Sequence, residues 1–278
     1  MEPAGSDSSQ LEGGEREQAQ DHAPLRALVI HEIIREEGEA ELDRKPWATI
    51  WSGLAAGLSM GFSFAAQALL KTDLAGAIGA HALTSLGYCV GFIIVVLGRQ
   101  QLFTESTLTA VLPVLARRDL ATLWKTIKLW NIVFAANIVG TWVFAVALAY
   151  AHPLPPETGP ALRQLATEAI GDSFWHTLVR AIFAGWLIAL MVWLLPSSRS
   201  ARLLVILVLT WAVAMGRFSH IIAGSTEGAY AILTGAGTFS QYLLAFLIPT
   251  LIGNTIGGVS LVGLLNHAPV SEEVTGKP

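Results

Sequence analysis

The chain has 278 residues, of which 53% are hydrophobic and only 14% charged, where a soluble domain carries about 25% charge. With a mean hydropathy of +0.55, this composition specifies a protein that crosses a membrane several times. It excludes a disulfide framework, because Cys89 is the single cysteine, and the net charge of −4, set mostly by an acidic N-terminal tail, offers nothing to a nucleic acid.

Residues 1–24 are rich in Gly, Ser, Glu and Gln and are expected to form a disordered cytoplasmic tail. No secretory signal peptide is visible, because the N-terminus is polar and acidic. Leu25, Leu28, Val29 and Ile33 recur at helical spacing, so 25–45 reads as an amphipathic helix on the membrane surface or on the protein, or as a solvated helical tail. A transmembrane domain, 46–267, follows. It holds six apolar segments near the ~20 residues needed to span: 47–70, 78–98 continuing to 116, 123–150, 173–195, 202–234 with a break, and 239–266. Trp47, Trp51, Trp124, Trp130, Trp175 and Trp193 fall toward segment ends, as interfacial aromatics do. The polar, Pro-rich stretch 152–171 reads as the longest loop and the midpoint, and 268–278 as a cytoplasmic C-terminal tail.

Loop charge orients the chain. Arg35, Arg44 and Lys45 precede the first span, Arg117, Arg118, Lys125 and Lys128 separate the second from the third, and Arg199 and Arg202 separate the fourth from the fifth. The opposite loops hold only Lys71 and Arg163. The excess predicts that both termini are cytoplasmic.

The two halves match in order. Trp47-Ala-Thr49 with Ala56-Gly57 resembles Trp175-His-Thr177 with Ala184-Gly185, Gly98-Arg99 resembles Gly216-Arg217, and Asn137-Ile-Val-Gly140 resembles Asn254-Thr-Ile-Gly257. Three spans per half force the second copy to enter the opposite way up, which predicts a 3+3 inverted repeat with its permeation site between the halves. The second and fifth spans are each broken at Gly-Arg, and an ionisable group at bilayer depth costs roughly 2.5–3.5 kcal/mol on insertion scales. Such breaks survive only inside protein or along a cavity.

The chemistry-bearing candidates lie at those breaks. His220 is expected as a buried neutral imidazole that donates a hydrogen bond or a proton to a small anion, with a packing histidine as the plain alternative. Thr104 opens the helix after the first break, where its hydroxyl either caps that helix or faces a pore. Arg99 and Arg217 occupy equivalent positions. A buried charge demands a partner, so they are expected to form pore-adjacent pairs across the halves, with Glu105 and Glu227 as candidates. The recurring Gly53, Gly57, Gly61, Gly253, Gly257 and Gly258 serve close helix packing. No P-loop, HExxH, zinc spacing or nucleophile elbow occurs, so no enzyme activity, metal or cofactor is expected.

Taken together, Leu102-Phe103-Thr104-x-Ser106, the Gly216 to His220 break, and Gly253-Asn254-x-x-Gly257-Gly258 resemble the formate/nitrite transporter family over roughly residues 25–267. The resemblance implies an all-α, aquaporin-like fold of six spans with the second and fifth broken, assembled as a homopentamer. It implies passage of small monovalent anions or their conjugate acids. It makes His220 the central pore histidine and Thr104 its hydrogen-bonding partner. It puts Leu102, Phe103 and Phe92 at the cytoplasmic-side constriction, and Tyr88, Ile188 and Val213 at the periplasmic-side one. The chain departs from the family pattern at Gly185, where an asparagine facing the pore is usual, at Ala169, near the place of a vestibule lysine, and at Ser219, often acidic. The expected function is a proton-linked channel in a bacterial inner membrane, with the central histidine as the link. An aquaporin-like facilitator of neutral solutes is the alternative, but its paired Asn-Pro-Ala signatures are missing.

Overall fold

A computed structural model of the chain describes residues 10–265 together with 268 and 270. The remaining positions of both expected tails, and His267, lie outside the described residues. Helix α1 (Gly13–His22) forms where the sequence reading placed a disordered tail, because its run of Glu, Gln and Ala favours helix. Helix α2 (Ala27–Leu42) buries Ile30, His31, Ile34 and Gly38.

The spans begin at sequence signals for helix starts. Helix α3 (Pro46–Asp73) opens on proline, whose missing N–H is no loss in a first turn. Helix α7 (Leu120–Val146) is capped by the Asp119 carboxylate, which accepts the Thr122 N–H at 2.8 Å. Helix α9 (Phe174–Leu194) is capped by Ser173. The second span is α4 (Ala80–Leu97), followed by a break, α5 (Phe103–Thr109) and α6 (Val111–Arg117). The fifth is α10 (Arg202–Met215), a break and α11 (Ile221–Leu233). The last is α12 (Ile248–Ile256), flanked by the π-helical stretches Gln241–Leu247 and Gly257–Leu264. Among the described residues five stretches are long and apolar enough to cross a membrane unbroken. The fifth predicted span crosses only as two pieces.

The midpoint differs from expectation. Residues 152–171 include helix α8 (Gly159–Ile170), which turns Ala161, Leu162, Ala166 and Ile170 inward. Its prolines stand before or at the helix start, where proline is compatible with helix, so they did not mark a loop throughout.

Packing is reciprocal between the halves. In the first, α3 packs on α4 and α7; in the second, α9 packs on α12 and the Gly257–Leu264 stretch. The halves join crosswise: α5 lies on α9, α11 lies on α3, and α4 lies on α10. Each short helix after a break therefore rests on the opening span of the other half.

The two breaks share one backbone geometry. Arg99 and Arg217 both adopt the left-handed conformation with φ of 50°. The next residues donate back in the same way, Gln100 N–H to Val95 O at 3.0 Å and Phe218 N–H to Val213 O at 2.9 Å. Each chain then turns inward to a buried residue in the same extended conformation. Leu102 has φ −107° and ψ 128°, and His220 has φ −107° and ψ 127°.

Candidate functional site

Asn137 and Asn254 hold the inward turns in place. The Asn137 side-chain oxygen accepts the Phe103 N–H at 2.9 Å, while its amide donates to Gly53 O at 2.7 Å and Gln101 O at 2.9 Å. Asn254 repeats the scheme, accepting from Ile221 N–H at 2.8 Å and donating to Ala181 O at 2.7 Å and Ser219 O at 2.9 Å. Both asparagines are fully buried. Each satisfies backbone groups that the helix break would otherwise orphan. The sequence marked these asparagines as a repeat but gave them no role at the site.

Close approach makes this possible. A Cβ on Gly57 would stand 2.2 Å from Asn137 O, and one on Gly185 would stand 2.3 Å from Asn254 O. Gly185 is thus the partner of Gly57 in the repeat. It packs against backbone, so no asparagine facing a cavity fits there.

The breaks bring His220 and Thr104 together. The imidazole Nε2 lies 2.8 Å from the Thr104 hydroxyl, and both side chains are buried. His220 is also the N-cap of α11, its Nδ1 accepting the Ala223 N–H at 3.2 Å. A backbone N–H only donates, so this contact assigns the lone pair to Nδ1 and the proton of a neutral ring to Nε2. Nε2 donates to Thr104, whose own O–H stays available as a donor. Protonating Nδ1 would break the cap. In this geometry His220 is a buried hydrogen-bonding group that joins Thr104 to the start of α11. Leu102, at the equivalent cap position, has no capping side chain. Thr104 stands inside α5 rather than capping it.

An apolar collar surrounds the pair. The Phe92 ring meets the imidazole edge-on with centroids 5.0 Å apart, and Tyr88 meets Phe92 at 5.2 Å. Phe103 is held from behind by Phe134, at 5.3 Å. Leu102, Ile188 and Val213 are fully buried in the same core.

A cavity opens on each side of the collar. The first, called the outer cavity after the orientation expected from loop charge, has a volume of about 670 Å³ and reaches from His220, Tyr88 and Glu227 to Lys71, Arg180 and Arg217. The second, the inner cavity, has about 410 Å³ and reaches from Val96 and Glu105 to Arg44, Arg99 and Arg202. Their walls share no residue, and Leu102, Phe103 and Phe92 line neither.

The expected charge pairs are not present. Arg99 is 74% exposed and pairs with Glu37 of α2 at 2.9 Å. Arg217 is exposed at the wall of the outer cavity and has no ion pair among the described residues. Neither Glu105 nor Glu227 is joined to an arginine. The reason lies in helix length: α4 has 18 residues, about 27 Å at 1.5 Å per residue, so its Gly-Arg comes at the far end rather than halfway. Both arginines are exposed on the chain and need no buried partner. Sequence reading also missed Glu41, which accepts from Thr109 Oγ1 at 2.7 Å and from Gln101 Nε2 at 3.1 Å, locking α2 onto α5. A lone glutamate in an acidic helix gave no signal for that contact.

Comparison with known proteins agrees with this architecture. The sequence profile described as formate/nitrite transporter matches residues 28–268. The inner membrane protein YfdC of Escherichia coli (strain K12) is 39% identical over 278 residues, covering 98% of this chain and 90% of the relative. The formate channel FocA of the same organism is 26% identical, covering 86% and 92%. Two solved structures share the fold. A pentameric formate channel with formate bound has a TM-score of 0.69 at 19% identity, covering 81% of this chain and 97% of that one. An FNT family ion channel has a TM-score of 0.70 at 20% identity, covering 87% and 96%. The chain is a multi-pass membrane protein that belongs to the formate/nitrite transporter family.

Proposed function

We propose that this protein is a channel for small monovalent anions of weak acids, of the size of formate, nitrite or acetate, which cross the collar as the neutral conjugate acid. The observation that carries the reading is the 2.8 Å contact between His220 and Thr104, buried in an apolar collar between two cavities. A bare anion gains no hydration from Leu102, Phe103 and Phe92, and desolvation is its dominant penalty. A neutral acid escapes that penalty and still finds the Thr104 hydroxyl and the imidazole as polar contacts at the narrowest point. Tyr88, Ile188 and Val213 complete the collar on the outer side.

The same reading takes the protein to be a homopentamer with one pore per protomer, in a bacterial inner membrane, both termini in the cytoplasm. The matched hydrogen bonds of Asn137 and Asn254 support an inverted repeat with the pore between its halves. The name of YfdC as an inner membrane protein, and those of the formate channels, support the location and the substrate class.

Flux into proteoliposomes tests the reading. Formate, nitrite and acetate are expected to pass and glycerol to be excluded. Glycerol flux equal to formate flux would replace the reading with a neutral-solute facilitator.

A further inference from the structure

Among the described carboxylates lining the two cavities, one on each side has neither an ion pair nor a hydrogen bond. Glu227 lies seven residues beyond His220 on α11, two helical turns on the same face, and lines the outer cavity. Glu105 follows Thr104 on α5 and lines the inner cavity. Its Oε1 is buried and has no hydrogen-bond partner among the described residues. No ion pair or hydrogen bond among the described residues engages either side chain.

None of the charged groups lining either cavity forms an ion pair with Glu227 or Glu105. In the outer cavity Asp172 engages both His176 and Arg180, and His81 contacts Met215 O. Lys71, Arg217 and Glu168 complete its charged wall, beside the Tyr88 hydroxyl and His220. In the inner cavity Glu37 holds Arg99, while Glu41 is held by Thr109 and Gln101. Arg44 and Arg202 complete that wall. Each wall thus carries cations that an entering anion can meet, while Glu227 and Glu105 have no fixed salt-bridge role.

We infer that Glu227 and Glu105 are the proton-exchange sites of permeation. In the outer cavity the O–H bond of the Glu227 carboxylic acid breaks as an O–H bond forms on the anion. The neutral acid crosses the collar. In the inner cavity the Glu105 carboxylate takes that proton, its O–H bond forming as the permeant's breaks, and the anion is released. Water in each cavity restores the starting protonation. One anion and one proton move together and nothing is oxidised or reduced. The roles reverse for efflux. This rests on neutral passage and adds where the proton comes from. It also sets a substrate class: an anion of a strong acid, such as nitrate, takes no proton from a carboxylic acid and is excluded.

The test compares wild type with Glu227→Gln, Glu105→Gln and the matching Asp variants in proteoliposomes, with formate uptake measured at neutral pH and in acid. Each Gln variant is expected to lose at least about 100-fold at neutral pH, the lower end of the range for positioned acids and bases. In acid, where solvent itself supplies formic acid, the variants should return to near wild-type flux, and Asp should restore part of the neutral-pH rate. Wild-type flux in both Gln variants at neutral pH overturns the inference, and so does a loss equal at both pH values, which marks a packing defect. A wild-type protein that moves no weak acid overturns the functional reading along with it, whereas weak-acid flux that ignores both carboxylates overturns this inference alone.

Discussion

At the residue scale, the two asparagines carry more of the structure than any charged group. Asn254→Ala would leave the Ile221 N–H and the Ser219 carbonyl without this partner and remove a second bond to the helical Ala181 carbonyl. Each buried orphan costs about 1–3 kcal/mol, so the loss should reach about 3 kcal/mol or more, read as a lower thermal midpoint in detergent; Asn137→Ala should behave alike. A midpoint unchanged in both would deny the asparagines this role. The arginines predict the opposite. Arg217 is exposed and strained at φ 50°, a conformation costing an L-residue about 1–2 kcal/mol. Arg217→Gly should therefore stabilise by about 1 kcal/mol, and Arg217→Ala should leave oligomer yield intact. A collapse of assembly in Arg217→Ala would revive a structural ion pair. His220→Phe should block flux. His220→Asn keeps a capping oxygen for the Ala223 N–H but enlarges the gap in the collar, and bilayer recordings should show a voltage-dependent anion current absent from wild type.

At the element scale, the informative contact is between α2 and α5. Glu41 is held by Thr109 and Gln101, and burial pushes its carboxyl above the ordinary carboxylate range, with nearby Glu37 adding to the shift and the two hydrogen bonds opposing it. Docked α2 thus keeps a proton that undocked α2 would release. The sign follows: docking is strongest in acid and weakens as pH rises from the ordinary carboxylate value through the raised one. Hydrogen exchange over Ala27–Leu42, corrected for its intrinsic pH dependence, should show protection falling on that rise. Glu41→Gln, which removes the titration, should flatten the profile; an equally steep profile in Glu41→Gln would assign it to another group.

The elements also show what the sequence made legible. The spans were readable because apolar length alone separates lipid-crossing helices from loops, and the breaks because Gly-Arg interrupts an otherwise apolar run. The depth of the breaks was misjudged, since α4 is long enough to span before Gly98 and its arginine is exposed and paired with Glu37. The helix at Gly159–Ile170 was missed because proline marks both loops and helix starts. His220 and Thr104 were named from the resemblance. Their bond, 116 residues apart in sequence, depends on two inward turns meeting, which no local pattern reports. Nor did any pattern report that the histidine caps its own helix.

At the scale of the whole molecule, the matched halves explain why a polar contact survives at the centre of an apolar protein. Each inward turn is satisfied by an asparagine of its own half and each short helix is buried on the opening span of the other. The collar is built where those elements converge, and the cavities are what remains on either side. The central claim is that a solute passes this collar uncharged. Moving a net charge across the membrane is worth about 2.3 kcal/mol per 100 mV, so the most direct measurement is formate flux in proteoliposomes at a series of imposed potentials and external pH values. The account predicts flux that is nearly indifferent to potential and rises as external pH falls. Flux that follows the potential and ignores pH would contradict it and establish conduction of the bare anion.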